Sequence, residues 1–346
     1  MFKEITINGL RGLKALSIKE FGTVNLIVGK NNSGKTSILE SLFLATNPGN
    51  PELPIRINQF RNIKEIDEKS WRLLFCRQPH MSEIEIVATL TSPSETRRLT
   101  IKPYRSSVDQ NQSMRDAFSS EAMTQINGLS LECDYQTRHT KKKTSSWIMT
   151  KGGQIEKKLS EPEIILKAFY LTPNLERHAL GTLLNEIQIR KEISKVVEVL
   201  AAIEPSINDI YLGIDGTVLV DIGHDRLIPL GAMGAGLIKV LAVISAMTTF
   251  KNGIVLIDEI ENGLHHSSQL TLFKAILEAS ERFKVQVFAT THSIESLSAL
   301  KSAYQERRTN ASLRLYRIEK KAQSFRVVDY RFETLAAAIE NSWEIR

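Results

Sequence analysis

Residues 24–42 read VNLIVGKNNSGKTSILESL. An apolar run, Asn25 to Val28, enters a glycine loop, and the loop enters a helical pattern with Ile38, Leu39, Leu42 and Phe43 on helical spacing. Gly29 to Thr36 has the spacing G-x-x-x-x-G-K-T, that of a phosphate-binding loop. Glycine lets the backbone turn tightly and approach an anion. The amides of Asn32, Ser33, Gly34, Lys35 and Thr36 are expected to cradle a β-phosphate, with the positive end of the next helix behind them. Lys35 would bridge the β- and γ-oxygens, and the Thr36 hydroxyl would serve Mg²⁺.

The chain has 346 residues, 42% hydrophobic and 24% charged, enough for a large core. No apolar run has the length of a membrane span, and MFKEITINGL lacks the layout of a secretory signal. The two cysteines, Cys76 and Cys133, show no metal spacing and no disulfide framework. These features predict a soluble cytoplasmic protein without membrane contact. The net charge of +6 permits nucleic-acid contact without requiring it. The basic clusters at 138–143 (RHTKKK), Lys157-Lys158 and Arg307-Arg308 read as solvated loops, with a phosphate-backbone patch as the alternative.

Residues 1–30 read as one small sheet with turns at Gly9 and Gly22. The helix after the loop is expected to span 35–44 and to stop in the Asn/Pro/Gly-rich stretch 47–54. Alternation predicts strands at 83–90, 97–104, 129–135 and 146–150, with a turn at 151–153. The polar stretch 105–127 reads as a loop. Residues 182–203 read as one helix ended by Pro205. Asp215-Gly216 joins two strands in a hairpin.

The second half completes the site. Residues 251–259 (KNGIVLIDE) form an apolar strand ending in two acids, where ligands bind in open α/β sheets. Asp258 is the expected metal partner and Glu259 the expected general base. Residues 283–293 (FKVQVFATTHS) form a neighbouring strand that delivers His292. The glycine-rich segment 230–237 (LGAMGAGL), directly before an apolar helix, reads as a second anion cradle. A glycine hinge is the alternative reading.

This order resembles that of ABC-type ATPases: P-loop, signature, acid-ended strand, then Thr-His-Ser. ITINGLRGLKALSI (5–18), GKNNSGKTS, DEIENGLHHS, ATTHS and the ending ETLAAAIENSWEIR are most similar to the branch that holds the overcoming-lysogeny (OLD), RecF and SMC-like proteins. The resemblance covers about 1–45 and 205–346. It implies an α/β fold: an ABC-type P-loop ATPase head with a mixed β-sheet core, an antiparallel β subdomain and a helical signature subdomain. One ATPase domain is expected over 1–346. Its parts are 1–45 (N-terminal sheet and P-loop), 46–160 (β-rich insert), 161–250 (helical and signature region) and 251–346 (acid-ended strand, histidine and C-terminal sheet and helix).

The resemblance assigns nucleotide contact to Arg11 and to Gly29, Asn31, Asn32, Ser33, Gly34, Lys35, Thr36 and Ser37. It assigns catalysis to Lys35, Glu259 and His292, and the metal to Thr36 and Asp258. Met233, Gly234, Ala235 and Gly236 would cap ATP held by another copy, and 261–265 would lie at the interface between copies. Ala232 and Met233 stand where relatives carry a hydroxyl, which implies slow turnover. Gln59 and Gln78 are both candidates for the glutamine that follows the P-loop helix. The implied protein is a magnesium-dependent ATPase that pairs with itself around two ATP and controls a separate nuclease or toxin in bacterial antiphage defence. The short tail after His292 leaves no space for the nuclease domain of OLD proteins. A RecF-like repair ATPase contacting DNA or RNA, and an ATP-locked scaffold with little turnover, are the alternatives.

Overall fold

A computed structural model of the protein describes residues 1–76, 83–91, 94–104, 126–160, 165–172, 177–306, 311–321 and 324–332, with 334 and 337. Strands β1 (Phe2–Asn8), β2 (Ala15–Ile18) and β3 (Val24–Val28) precede helix α1 (Lys35–Thr46). Helices α2 (Leu53–Gln59) and α3 (Glu68–Arg72) lead to β4 (Ile84–Leu90), β5 (Glu95–Tyr104), β6 (Gly128–Thr137), β7 (Lys141–Lys151), β8 (Gln154–Lys158) and β9 (Ala168–Leu171). Then come α4 (Arg177–Ile189), α5 (Ile193–Ala201), β10 (Asp209–Leu212), β11 (Val218–Asp221) and β12 (Ile228–Pro229). A 3-10 turn, Leu230–Met233, opens α6 (Ala235–Thr249). The rest is β13 (Ile254–Ile257), α7 (His266–Phe283), β14 (Gln286–Thr291), α8 (Ile294–Glu306), β15 (Leu313–Lys320) and β16 (Phe325–Arg331).

The central sheet runs β16-β15-β3-β14-β13-β9. Its strands are parallel except for the antiparallel β15–β16 pair. Every residue of β3, β13 and β14 is buried, as expected for parallel strands covered on both faces. Successive side chains point to opposite faces. Val24, Leu26 and Val28 join the core built on α4 to α7, whereas Ile27 joins the core under α1.

On that second face lies an antiparallel sheet, β2-β1-β4-β5-β6-β7-β8, whose strand β4 alternates strictly between buried and half-buried residues. Helix α1 is sandwiched between the two sheets and is buried along its length except at Thr36. A helix without a polar face can persist only in such a position. Arg97 of β5 caps its far end: Nη1 donates to the carbonyls of Ala45 (3.2 Å) and Thr46 (2.9 Å). The same guanidinium pairs with Glu95 at 2.7 Å, with the two side chains 1% and 3% exposed. Removing one partner of a buried ion pair strands the other charge, at a cost of about 3–5 kcal/mol. Arg97→Met is expected to lose stability on that scale in urea unfolding; a loss under about 1 kcal/mol would refute the capping role.

Three expectations need correction. Residues 1–30 are not one sheet, because β3 leaves β1 and β2 for the centre of the other sheet; its unbroken apolar run suits burial on both faces. The helix expected at 182–203 is two helices, α4 and α5, turning at Lys191 in a left-handed conformation (φ 57°). Folding back lets Leu184, Ile187, Val196 and Leu200 enter one core with α6. Lys141 to Lys143 belong to strand β7, not a loop, although they remain exposed.

Strands 83–90, 97–104, 129–135 and 146–150 are present within one or two residues of their expected bounds, except that the last begins five residues earlier, at Lys141. So is the hairpin, where Leu212 pairs with Val218 and Gly216 takes φ 79°. Most of the polar stretch 105–127, together with Arg307, Arg308, Gln78 and nearly all of the expected C-terminal helix, lies outside the described residues. No helix among the described residues is long and apolar enough to cross a membrane. Cys76 and Cys133 are buried free thiols.

Candidate active site

Strands β3, β14 and β13 are adjacent and parallel, so the segments after their carboxyl ends converge: the loop 29–36, residues His292-Ser293, and Asp258-Glu259. The loop has the geometry its glycines require. Gly34 sits at φ 93°, and a Cβ there would come within 2.6 Å of Leu13 Cδ2. Lys35 folds over the loop and donates from Nζ to the carbonyls of Gly29 (2.7 Å) and Lys30 (3.1 Å). Burial lowers the pKa of this ammonium, opposed by the charges of Glu261, Asp258 and Glu259. Ser33 Oγ is buried with no hydrogen-bond partner among the described residues.

Thr36 Oγ1 donates to Asp258 Oδ1 (3.2 Å), and Thr290 Oγ1 donates to the same oxygen (2.6 Å). Burial raises the pKa of Asp258, opposed by those two hydroxyls. A buried carboxylate beside a threonine hydroxyl, facing a lysine and a loop of amides, fits a divalent cation on a bound polyphosphate. Thr36 and Asp258 would hold the cation, which would neutralise charge on the phosphate oxygens.

Glu259 is half-buried in a left-handed conformation, φ 47°, uncommon for a residue with a side chain. Its N–H donates to Thr290 Oγ1 (2.8 Å), and its carbonyl accepts from Lys239 Nζ (3.2 Å), which also reaches the Asn262 carbonyl (2.8 Å). Burial pushes the Lys239 ammonium down to about 8, with Glu261 and Glu259 opposing. Lys239 thus ties helix α6 to the turn that displays Glu259. Loss of the tie relaxes the strained turn, so Lys239→Met is expected to lower kcat about tenfold, roughly 1.4 kcal/mol of barrier. Unchanged steady-state kinetics would remove the residue from the site.

His292 stands past β14, its side chain half exposed and its Nδ1 2.9 Å from Glu261 Oε1. Ahead of α6, Gly234 takes φ 95° in open space: a Cβ would meet nothing within 4 Å. Gly231, Ala232 and Gly234 are exposed and Met233 half-buried, whereas Gly236 packs close to Ser268 of α7. Ala235 is described only as the first residue of α6.

Arg11 does not join this group. Its guanidinium lies on Glu40 of α1 (2.7 Å), on Asn58 Oδ1 (3.0 Å) and on the carbonyls of Leu73 and Ile57, and it is 9% exposed. It thereby serves a carboxylate that is completely buried and needs cations. Arg61, which sequence reasoning passed over, lies nearer the loop: Nε holds Glu40 Oε1 (2.6 Å) and Nη2 reaches Ser37 Oγ (3.2 Å). Nothing in its local pattern announces it. Gln59 is exposed at the end of α2.

Among solved structures, the chain is similar to an SMC head bound to the C-winged helix domain of ScpA, with a TM-score of 0.54 at 13% identity over 97% of this chain and 99% of that one. The fold is that of an ABC-type ATPase head. A second SMC head, with an extended coiled coil and bound to the C-terminal domain of ScpA from Pyrococcus furiosus, matches at a TM-score of 0.50 and 12% identity over 99% of each chain. Two family models match parts of this ABC-type head. The model described as AAA ATPase domain covers residues 1–168. The model described as AAA domain, putative AbiEii toxin, Type IV TA system, covers residues 151–298. The head is 24% identical over 376 aligned residues to an ATP/GTP phosphatase of Helicobacter pylori, spanning 99% of this chain and 98% of the relative. An uncharacterized protein of Methanocaldococcus jannaschii is 46% identical over 44 residues, 13% of this chain and 20% of that one.

Proposed function

We propose that the chain, acting as one ATPase unit, binds Mg-ATP on residues 29–37 and hydrolyses it slowly. Two copies close on two nucleotides, each offering Met233 to Gly236 to the other's P-loop. The carrying observation is the convergence of Lys35, Thr36, Asp258, Glu259 and His292 beyond three adjacent parallel strands, together with a signature loop whose Gly234 faces open space. The Lys35 ammonium holds the terminal phosphate oxygens. The Glu259 carboxylate takes a proton from the attacking water, and His292 steadies the phosphate being transferred. The phosphatase relative and the ATPase-domain models support this chemistry.

Closure follows if ATP favours the paired state over the open one. The switch so formed would act on a separate effector, a nuclease or toxin, in antiphage defence in the bacterial cytoplasm; the toxin–antitoxin description of one family model supports the toxin part of that reading. The decisive experiment measures phosphate release and sedimentation of the purified chain with ATP, with and without magnesium. Release that needs magnesium, accompanied by pairing, supports the reading; neither would end it. The RecF-like alternative predicts salt-sensitive duplex binding. Against it, Lys143 lies 3.3 Å from Glu132 and Lys157 pairs with Glu52, so part of the basic surface is neutralised in place. Bound ATP without turnover would instead indicate the locked scaffold.

A further inference from the structure

The geometry points to Glu261 as the positioning residue of His292, one carboxylate oxygen setting both the tautomer and the direction of the ring. The inference rests on the hydrolytic reading above and deepens it. Glu261 Oε1 accepts from two donors of the same residue, the His292 backbone N–H at 2.8 Å and the ring at Nδ1, 2.9 Å away. A carboxylate oxygen can only accept, so the proton sits on Nδ1. Nε2 is then the nitrogen left to meet a ligand, and the backbone bond fixes where the ring begins. This inverts the preference of a free neutral histidine side chain for the proton on Nε2, because the hydrogen bond a ring nitrogen makes sets the tautomer.

Burial marks the pairing as built into the fold. The Glu261 side chain is 10% exposed against 50% for His292. Its second oxygen, Oε2, is buried with no hydrogen-bond partner among the described residues. A buried carboxylate is costly unless cations face it. Two do: Glu261 is the strongest charge acting on Lys35 of the P-loop and on Lys239 of α6. The carboxylate that orients the histidine is therefore held in the field of the phosphate-binding lysine and of the lysine that ties down Glu259. Sequence position alone suggests a different role for it, in the segment between copies.

The test combines a spectrum with kinetics. In ¹⁵N-histidine NMR, with His292→Gln to assign the signal, the wild-type chain is expected to show His292 protonated at Nδ1. Glu261→Gln keeps an accepting oxygen and should keep that tautomer. Glu261→Ala should shift the proton to Nε2. If the alanine variant does not fold, Glu261→Met, which keeps the volume and removes the acceptor, serves in its place.

In turnover, Glu261→Ala and His292→Ala should each lower kcat about a hundredfold with KM changed by no more than about twofold. The double variant should be no slower than the slower single one, since both changes remove one unit. Glu261→Gln should recover at least about tenfold of the loss. An unchanged tautomer in Glu261→Ala, or losses that multiply in the double variant, would overturn the assignment. A chain that hydrolyses no nucleotide would end the functional reading, while the spectrum would still decide the pairing.

Discussion

Glu259→Gln is expected to hold ATP and to remain paired with a second copy, whereas the native chain is expected to cycle between paired and open states. Glutamine has the same shape and cannot take a proton from water. Loss of a positioned general base costs about 10²–10⁴ in rate. The fold should not notice the change. The strained turn at φ 47° is held through backbone atoms, by Thr290 on the N–H and by Lys239 on the carbonyl. The proposed nucleotide cradle, residues 29–36, is also untouched. Moving an equilibrium from 1:99 to 99:1 takes about 5.5 kcal/mol of preference for one state. In the proposed pair, amides of one copy's P-loop and of its twin's signature loop, both on one triphosphate, would be the source of that preference. Sedimentation with ATP should show a lasting dimer for the variant. A monomer under those conditions would refute the shared-nucleotide arrangement, whatever the rate of hydrolysis.

Lys35→Ala should abolish measurable ATP binding while the chain stays folded. The two consequences have one cause. The ammonium is buried, its pKa is pulled down by desolvation, and its hydrogen bonds go to the carbonyls of Gly29 and Lys30. Its charge therefore adds little to folding and is available to an anion. Deleting one member of a buried, hydrogen-bonded charge pair costs about 2–5 kcal/mol of binding, a loss of thirtyfold to several thousandfold. Calorimetry should show no ATP binding at micromolar protein, with a melting temperature equal to or above that of the native chain. Retained affinity would refute the assignment of the loop.

Much of this architecture was legible residue by residue, because the features that reveal it are local. Alternation in 83–90 gave a half-buried strand, and the unbroken apolar runs before Gly29 and before Asp258 gave strands buried on both faces. The same apolar run that made β3 recognisable was misassigned to the first sheet, since composition says how deeply a strand is buried and not which strands flank it. The exposed strand β8 carries no apolar alternation to announce it, every residue facing solvent. The break between α4 and α5 has no proline or glycine behind it and comes from the need to keep both apolar stripes on one core.

The candidate site divides along the same line. The P-loop, the acid pair and the histidine were readable from contiguous motifs, because each is a strand end followed by a turn and its chemistry is carried by a few successive residues. Which partners those side chains take depends on contacts between distant parts of the chain. Thr36 meets Asp258 across 222 positions, and Arg11 meets Glu40 across 29. The tertiary structure alone decided that Arg11 serves a buried carboxylate, that Arg61 approaches the loop, and that Lys239 and Glu261 hold the turn and the histidine. A motif states what a segment can bind. The charge balance of a desolvated interior, settled only once the chain has folded, determines which neighbour each charged group must satisfy.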